Sequence, residues 1–162
     1  MFVDADTVVT IDVVRAALAA MRNGAVGGGS AVDFDGKIPL YARLVHGLLV
    51  WSFRTLRFAC GCFLFCTREA FEATQGFNEE LYASEELSMS NALKRVGRFV
   101  VLREKVITSG RKLRTYSGFE VMRIFGSFAI GGTKSVKRRD GLELWYGERR
   151  PDPGACESKV TG

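Results

Sequence analysis

Two aspartates flank one alanine in Asp4-Ala5-Asp6, close to the start of a 162-residue chain. On an extended backbone, residues i and i+2 point to the same side, so the pair offers two hard carboxylate ligands at one place. Such a pair suits Mg²⁺ or Mn²⁺, which keep positions open for phosphate oxygens and neutralise a diphosphate as it departs. An ordinary acidic turn is the plainer reading of the same residues. Glu85 and Glu86 stand at the start of a predicted helix, where partial positive charge favours an ionised carboxylate, and hence a base. On the plainer reading they only complement the helix dipole. Arg111 and Lys112 follow the best predicted strand. There they can clamp phosphate oxygens, Arg in bidentate fashion and Lys as a point charge, or simply form a solvated basic turn.

These groups need elements that bring three distant segments together. Met1-Phe2-Val3 reads as the end of a buried strand that delivers Asp4 and Asp6 into a loop. The spacing then predicts a helix over Ile11 to Asn23, with Thr10 as N-cap, Asp12 in the first turn, Val14, Leu18 and Met21 as the apolar repeat, and Gly24 as the stop. A strand leading into acids and followed by a capped helix is the strand-end geometry at which α/β folds place ligands. AVGGGSAVDFDG reads as an irregular strand. Its glycines, Gly27 to Gly29, have no lysine after them and so make no phosphate loop; they serve close backbone packing or a turn.

A helix is expected from about Ile38 to Phe58, with Arg43, Arg54 and Arg57 at its polar positions. GCFLFCTREAF reads as a short strand feeding a short helix, and QGFNEELY as a turn pivoting on Gly76. In ASEELSMSNALKRVG, Met89, Ala92, Leu93 and Val96 recur at helical spacing, Lys94 and Arg95 occupy the last turn, and Gly97 closes it. RFVVLREKVIT, rich in β-branched residues, is the strongest strand. A weaker amphipathic helix follows over Phe119 to Ile130, then a basic loop and a disordered tail over 151–162.

The net charge is +5, with 47% apolar and 25% charged residues and three prolines, a globular composition that excludes disordered and collagen-like classes. The charge is uneven. Residues 1–96 carry nine Lys/Arg against eleven Asp/Glu, whereas 97–150 carry thirteen against five. A basic half attracts polyanions such as anionic lipid or a diphosphate ligand, or is a solvated face. Nucleic acid is not expected, because the basic residues sit in no recognisable reading motif.

Cys60, Cys62, Cys66 and Cys156 lack the paired spacing of a zinc site, and His46 is far from a ligand pattern. Cys60, Cys62 and Cys66 share parity, which on a strand places them on one face as small buried hydrophobes. The thiols read as reduced and cytoplasmic. The opening MFVDADTVV carries acids where a signal peptide needs bases. The longest apolar stretch, Leu44 to Phe53, falls short of the roughly 20 residues of a membrane span. Interleaved aromatic and basic residues from Leu40 to Phe65 instead suit a segment lying at the inner face of a membrane. Trp51, Phe53, Phe58, Phe63 and Phe65 fit a core, or a surface for a sugar ring or a lipid-linked acceptor.

Taken in order, FVDADT, then GCFLFCTREAFEATQGFNEELYASEELSMSNALKRVGRFVVL, then VITSGRK, the chain resembles the family 2 glycosyltransferases of the GT-A fold over residues 1–116. Gly61, Arg68 and Phe71 match that family's G-x-x-x-x-x-R-x-x-F segment, and Gly76, Phe77 and Glu79 match its G-G-F-x-E, with Gln75 in place of the first glycine. The E-D pair of the family is Glu85-Glu86 here, so Glu86 stands where the catalytic aspartate is usual.

The resemblance implies an α/β fold: a partial GT-A, Rossmann-like mixed sheet flanked by helices, lacking the N-terminal nucleotide-binding strands. Residues 1–116 would be the metal and acceptor half, and 117–150 a basic helix and loop extension. The implied activity is an inverting, hexosyltransferase-like transfer from a nucleotide-diphosphate sugar to an acceptor hydroxyl, silent in a fragment without its nucleotide half. Asp4 and Asp6 would hold the divalent metal, Glu86 or Glu85 would be the base, and Arg111 and Lys112 would face the diphosphate. Gly61, Cys62 and Trp51 would line the acceptor side. From another class, the alternative is a non-catalytic remnant that binds anionic lipid or a partner chain through its basic half.

Overall fold

The computed structural model describes residues 1–59, 62–77 and 85–115. Ten elements alternate along them: β1 (Phe2–Val3), β2 (Thr7–Val8), α1 (Ile11–Arg22), β3 (Ala25–Phe34), α2 (Leu40–Leu56), β4 (Phe63–Cys66), α3 (Arg68–Ala73), α4 (Glu85–Val96), β5 (Arg98–Thr108) and α5 (Arg111–Thr115). The five strands form one mixed sheet in the order β1-β4-β3-β5-β2. β3 and β5 are parallel and the other pairs antiparallel, so β1, β3 and β5 run in the same direction. The protein is therefore an α/β fold built on a five-stranded mixed sheet.

The three glycines lie at the centre of this sheet because nothing larger fits. A Cβ on Gly28 would lie 2.2 Å from the Val100 carbonyl oxygen and 2.6 Å from the Phe65 ring, and one on Gly29 2.8 Å from Ala59. Phe65 can thus press flat onto the strand beside its own. Phe63 and Phe65 point to one face and Leu64 to the other, which gives the sheet two cores. On one face Phe63, Phe65, Cys62, Val32, Leu102 and Val106 pack with Val13 and Ala17 of α1. On the other, Leu64, Ala59 and Phe99 pack with Ala70 of α3 and with Met89 and Leu93 of α4.

α1 begins where expected, with the Thr10 hydroxyl accepting from the Val13 amide, and stops before Gly24 at φ +82°. Its buried face is turned from the expected one: Val13 and Ala17 are buried while Leu18 is exposed. Ala16 and Ala20 pack against the same core, as does Met21, the one member of the expected repeat that reaches it. β1 also differs. Among the described residues it is an edge strand paired on one side, with Phe2 and Val3 part-exposed, and not the buried strand end read from its apolar letters.

The shared face expected for Cys60, Cys62 and Cys66 is absent. Cys62 precedes β4 in a turn and packs in the core with Phe63 and Phe65, whereas Cys66 ends the strand against the other core. Parity holds only along a continuous strand. Burial pushes the Cys66 thiol up, with the N-terminal ammonium acting the other way. Cys60, the helix over Phe119 to Ile130, the 117–150 extension and the 151–162 tail lie outside the described residues. No helix among the described residues is long and apolar enough to cross a membrane.

Candidate functional site

Parallel strands with their helices on the return path deliver loops to one end of the sheet, and the acidic turn lies at that end. Asp4 and Asp6 are not extended. The Thr7 amide donates to the Asp4 carbonyl at 3.0 Å, so Asp4 to Thr7 is a tight turn, and the parity argument for two parallel carboxylates does not apply. What positions the pair is anchorage at both ends. The Asp4 amide donates to the Cys62 carbonyl at 3.2 Å, beside the start of β4. The Thr7 hydroxyl donates to the Thr108 hydroxyl at 3.0 Å, and Thr108 donates in turn to Asp6 Oδ1 at 3.5 Å. The turn therefore spans from β4 to the last residue of β5.

α4 leads directly into β5 and runs back along it, so its first turn, with Glu85 and Glu86, returns to the same end of the sheet. Glu86 is half-buried, and its carboxyl is raised above the ordinary carboxylate range, chiefly by loss of water around it. A backbone hydrogen bond opposes the rise; the negative charges of Asp4 and Glu85 add to it. The acidic turn and the helix start, read separately in the sequence, are thus close enough to act on each other.

An aromatic cluster ties the same segments together. Phe2, two residues before Asp4, meets Phe71 of α3 at 5.3 Å and Phe77 at 4.9 Å between ring centroids, and Gly76 lies against the Phe71 ring. Phe71 and Phe77 of the two matched motifs therefore contact the strand that leads into Asp4. Gln75 stands in the left-handed region at φ +61°. Arg68 is exposed, on an i,i+4 pair with Glu72 at 3.6 Å. Gly61 and Glu79 lie outside the described residues.

Arg111 opens α5, not an open turn, and its amide donates to Ser109 Oγ at 3.4 Å. Its residue is half-buried; the Lys112 side chain lies outside the described residues. The start of α5 is fixed by Asp35, which sequence reading missed. Asp35 Oδ1 accepts from the Gly110 amide at 2.7 Å and from Arg114 Nη1 at 3.2 Å, and Arg114 also donates to the Asp35 carbonyl at 2.7 Å. Thr108, which holds both Thr7 and Asp6, was missed as well. Its trace in the sequence is that the strongest strand ends in a hydroxyl residue, a weak signal.

Several residues of the basic half serve structure. Arg98 donates to the Asn23 carbonyl, Lys105 pairs with Asp33, and Arg114 with Asp35. Cys62 is buried in the core, and Trp51 is 65% exposed on α2, where it lines an open hollow of about 430 Å³ with Gly47, Val50, Arg54 and Thr55.

Among the described residues no three His, Cys, Asp or Glu side chains gather to hold a metal on their own. Two aspartates on one turn are hard oxygen donors of the other kind of site, in which Mg²⁺ or Mn²⁺ takes one or two carboxylates and completes its shell with water and phosphate. Comparison with protein-family models, curated proteins and solved structures finds no match to the chain.

Proposed function

We propose that this site transfers a sugar, with inversion, from a nucleotide-diphosphate donor to an acceptor hydroxyl. The observation that carries the reading is that the Asp4-Asp6 turn, anchored to Cys62 and Thr108, and the first turn of α4 with half-buried Glu86 lie at the same end of the sheet. It supports a single site made of an acidic turn and a carboxylate whose pKa is moved toward neutrality. A general base works best when its pKa approaches the working pH, and the desolvated Glu86 moves in that direction. In this reading Glu86 accepts the proton of the attacking hydroxyl, with Glu85 beside it as the other candidate for that role.

Inversion requires one carboxylate on the attacking face, and the helix start supplies it. Asp4 and Asp6 would hold Mg²⁺ or Mn²⁺; when bound, the cation supplies charge neutralisation for the diphosphate. Arg111, one residue past the Asp35-anchored Gly110, adds positive charge at the end of β5. The GT-A assignment, with the nucleotide side formed by strands beyond β1, belongs to this proposal. β1 is paired on one side among the described residues, which leaves its other edge available.

Calorimetry with Mn²⁺ and a panel of nucleoside diphosphates, with inorganic pyrophosphate as the minimal probe, tests the reading. The expected result is a Mn²⁺-dependent heat that disappears in Asp6→Asn. Folded protein that gives no heat with pyrophosphate or any diphosphate would overturn it.

A further inference from the structure

α2 presents apolar side chains on two faces, and among the described residues only one of them is covered by the body of the protein. Inward, Ala42 is buried and the His46 ring lies against Phe34 with Nε2 2.9 Å from the Val32 carbonyl. Outward, Leu40, Leu44, Leu48 and Trp51 recur at intervals of three and four residues, one stripe of the helix, and are 63–70% exposed. Leaving three leucines and a tryptophan in water along three turns is unfavourable, and a contiguous exposed stripe of this kind marks a surface that docks.

Charge identifies the partner. From Gly36 to Arg68 the chain contains no aspartate or glutamate, while Lys37, Arg43, Arg54 and Arg57 lie within that stretch. Arg43 and Arg54 are exposed, and at 100° per residue they fall together along one border of the leucine stripe. An antiparallel symmetric pairing of two copies through this stripe would bring Arg43 of one copy beside Arg54 of the other on the same border. An anionic bilayer meets both features. Acyl chains take the leucines, the indole ring sits at headgroup level, and lipid phosphates take the guanidinium groups.

We infer that α2 is a membrane-surface helix, lying flat on anionic lipid with Leu40, Leu44, Leu48 and Trp51 inserted and Arg43 and Arg54 at the headgroups. The inference stands on α2 alone and is independent of the sugar-transfer reading. Of the two lipid contacts the sequence suggests, the basic half and the stretch from Leu40 to Phe65, it selects the second and names the residues of the exposed face.

The full chain is mixed with vesicles of phosphatidylcholine alone and of phosphatidylcholine with 30% phosphatidylserine (a chosen composition, about that of an anionic leaflet). The expected result is co-sedimentation with the anionic vesicles that weakens with salt. Paired Leu44→Ser and Leu48→Ser should lower the apparent affinity by about tenfold or more. Paired Arg43→Gln and Arg54→Gln should lower it by a similar factor and flatten the salt dependence. In a Trp145→Phe background, brominated lipid should quench Trp51. Circular dichroism of each variant checks folding, and the quenching experiment needs no change in α2. Binding that ignores all four α2 substitutions, no binding by folded protein, or a dimer in sedimentation equilibrium that the leucine substitutions dissolve would each overturn the inference. So would tight association with acidic peptides in preference to anionic vesicles.

Discussion

The Asp4 carboxylate acts on Glu86 across the end of the sheet and raises its pKa, alongside the larger effect of burial. Neither residue is near the other in sequence. The turn moored to Cys62 and the helix start that precedes β5 meet because the strands beneath them end together.

That relationship fixes how stability responds to pH. A carboxyl whose pKa is higher in the folded chain binds its proton more tightly there, so stability is lost as pH rises from its ordinary value of 4.5 through the raised one. Glu86→Gln removes the effect. Its melting temperature should exceed that of the wild type at pH 7 and converge with it near pH 4, as followed by thermal denaturation across that range. In a longer protein that also carries the nucleotide side, the same variant should lose transfer activity by at least about 100-fold, the scale of a general base. A gain in stability with a loss of function distinguishes a working carboxylate from a structural one.

Asp4→Asn isolates the electrostatic part. With one of the two neighbouring charges gone, the Glu86 carboxyl should titrate at lower pH, measured by side-chain carbon NMR. Burial, which the variant leaves intact, should keep it above the ordinary value.

The sheet centre tolerates no side chain at Gly28. Gly28→Ala forces a methyl to within 2.2 Å of the Val100 carbonyl, and should cost about 3 kcal/mol or more in denaturant unfolding. Backbone on one side and the buried Phe65 ring on the other leave the methyl no room.

Gln75 is the opposite case. At φ +61° and exposed, it holds a conformation that costs an L-residue about 1–2 kcal/mol, so Gln75→Gly should stabilise by up to about 1 kcal/mol after the added chain entropy is subtracted. The shift of the urea midpoint measures it. Here the departure from G-G-F noted in the sequence has a physical cost.

Asp35→Ala removes the carboxylate that accepts from the Gly110 amide and pairs with Arg114, and leaves Arg114 only the backbone carbonyl of residue 35. It should cost about 1–2 kcal/mol and raise amide exchange at Gly110 and the start of α5 before it affects the sheet.

Much of the scaffold was legible in the chain. Thr10 and Gly24 bound α1, β-branched residues mark β5 from end to end, and the glycine run has the close-packing role read from it. The α1 face was misjudged because leucine outranks alanine on any hydropathy scale, while the residues that α1 buries are Val13 and Ala17. The cysteine face was misjudged because Cys62 sits in the turn before the strand and not on it. Of the candidate site, residue types were legible and their arrangement was not. That Asp4 and Asp6 share a turn was the plainer reading of the acidic pair, whereas nothing local tells that Thr108 will meet Thr7, since that depends on which strands become neighbours. Asp35 and Arg114 were invisible for the same reason: each is an unremarkable charge until β3 and β5 finish side by side.

The hydroxyl contact between Thr7 and Thr108 joins a short edge strand to the far end of the longest one. With Cys62 holding the opposite end, the acidic turn behaves as a strut between two strands of the sheet. Swinging it toward an incoming ligand breaks a hydrogen bond at one mooring or the other. What docks there without that cost meets carboxylates whose spacing is already set, and size then counts beside charge in what the position accepts.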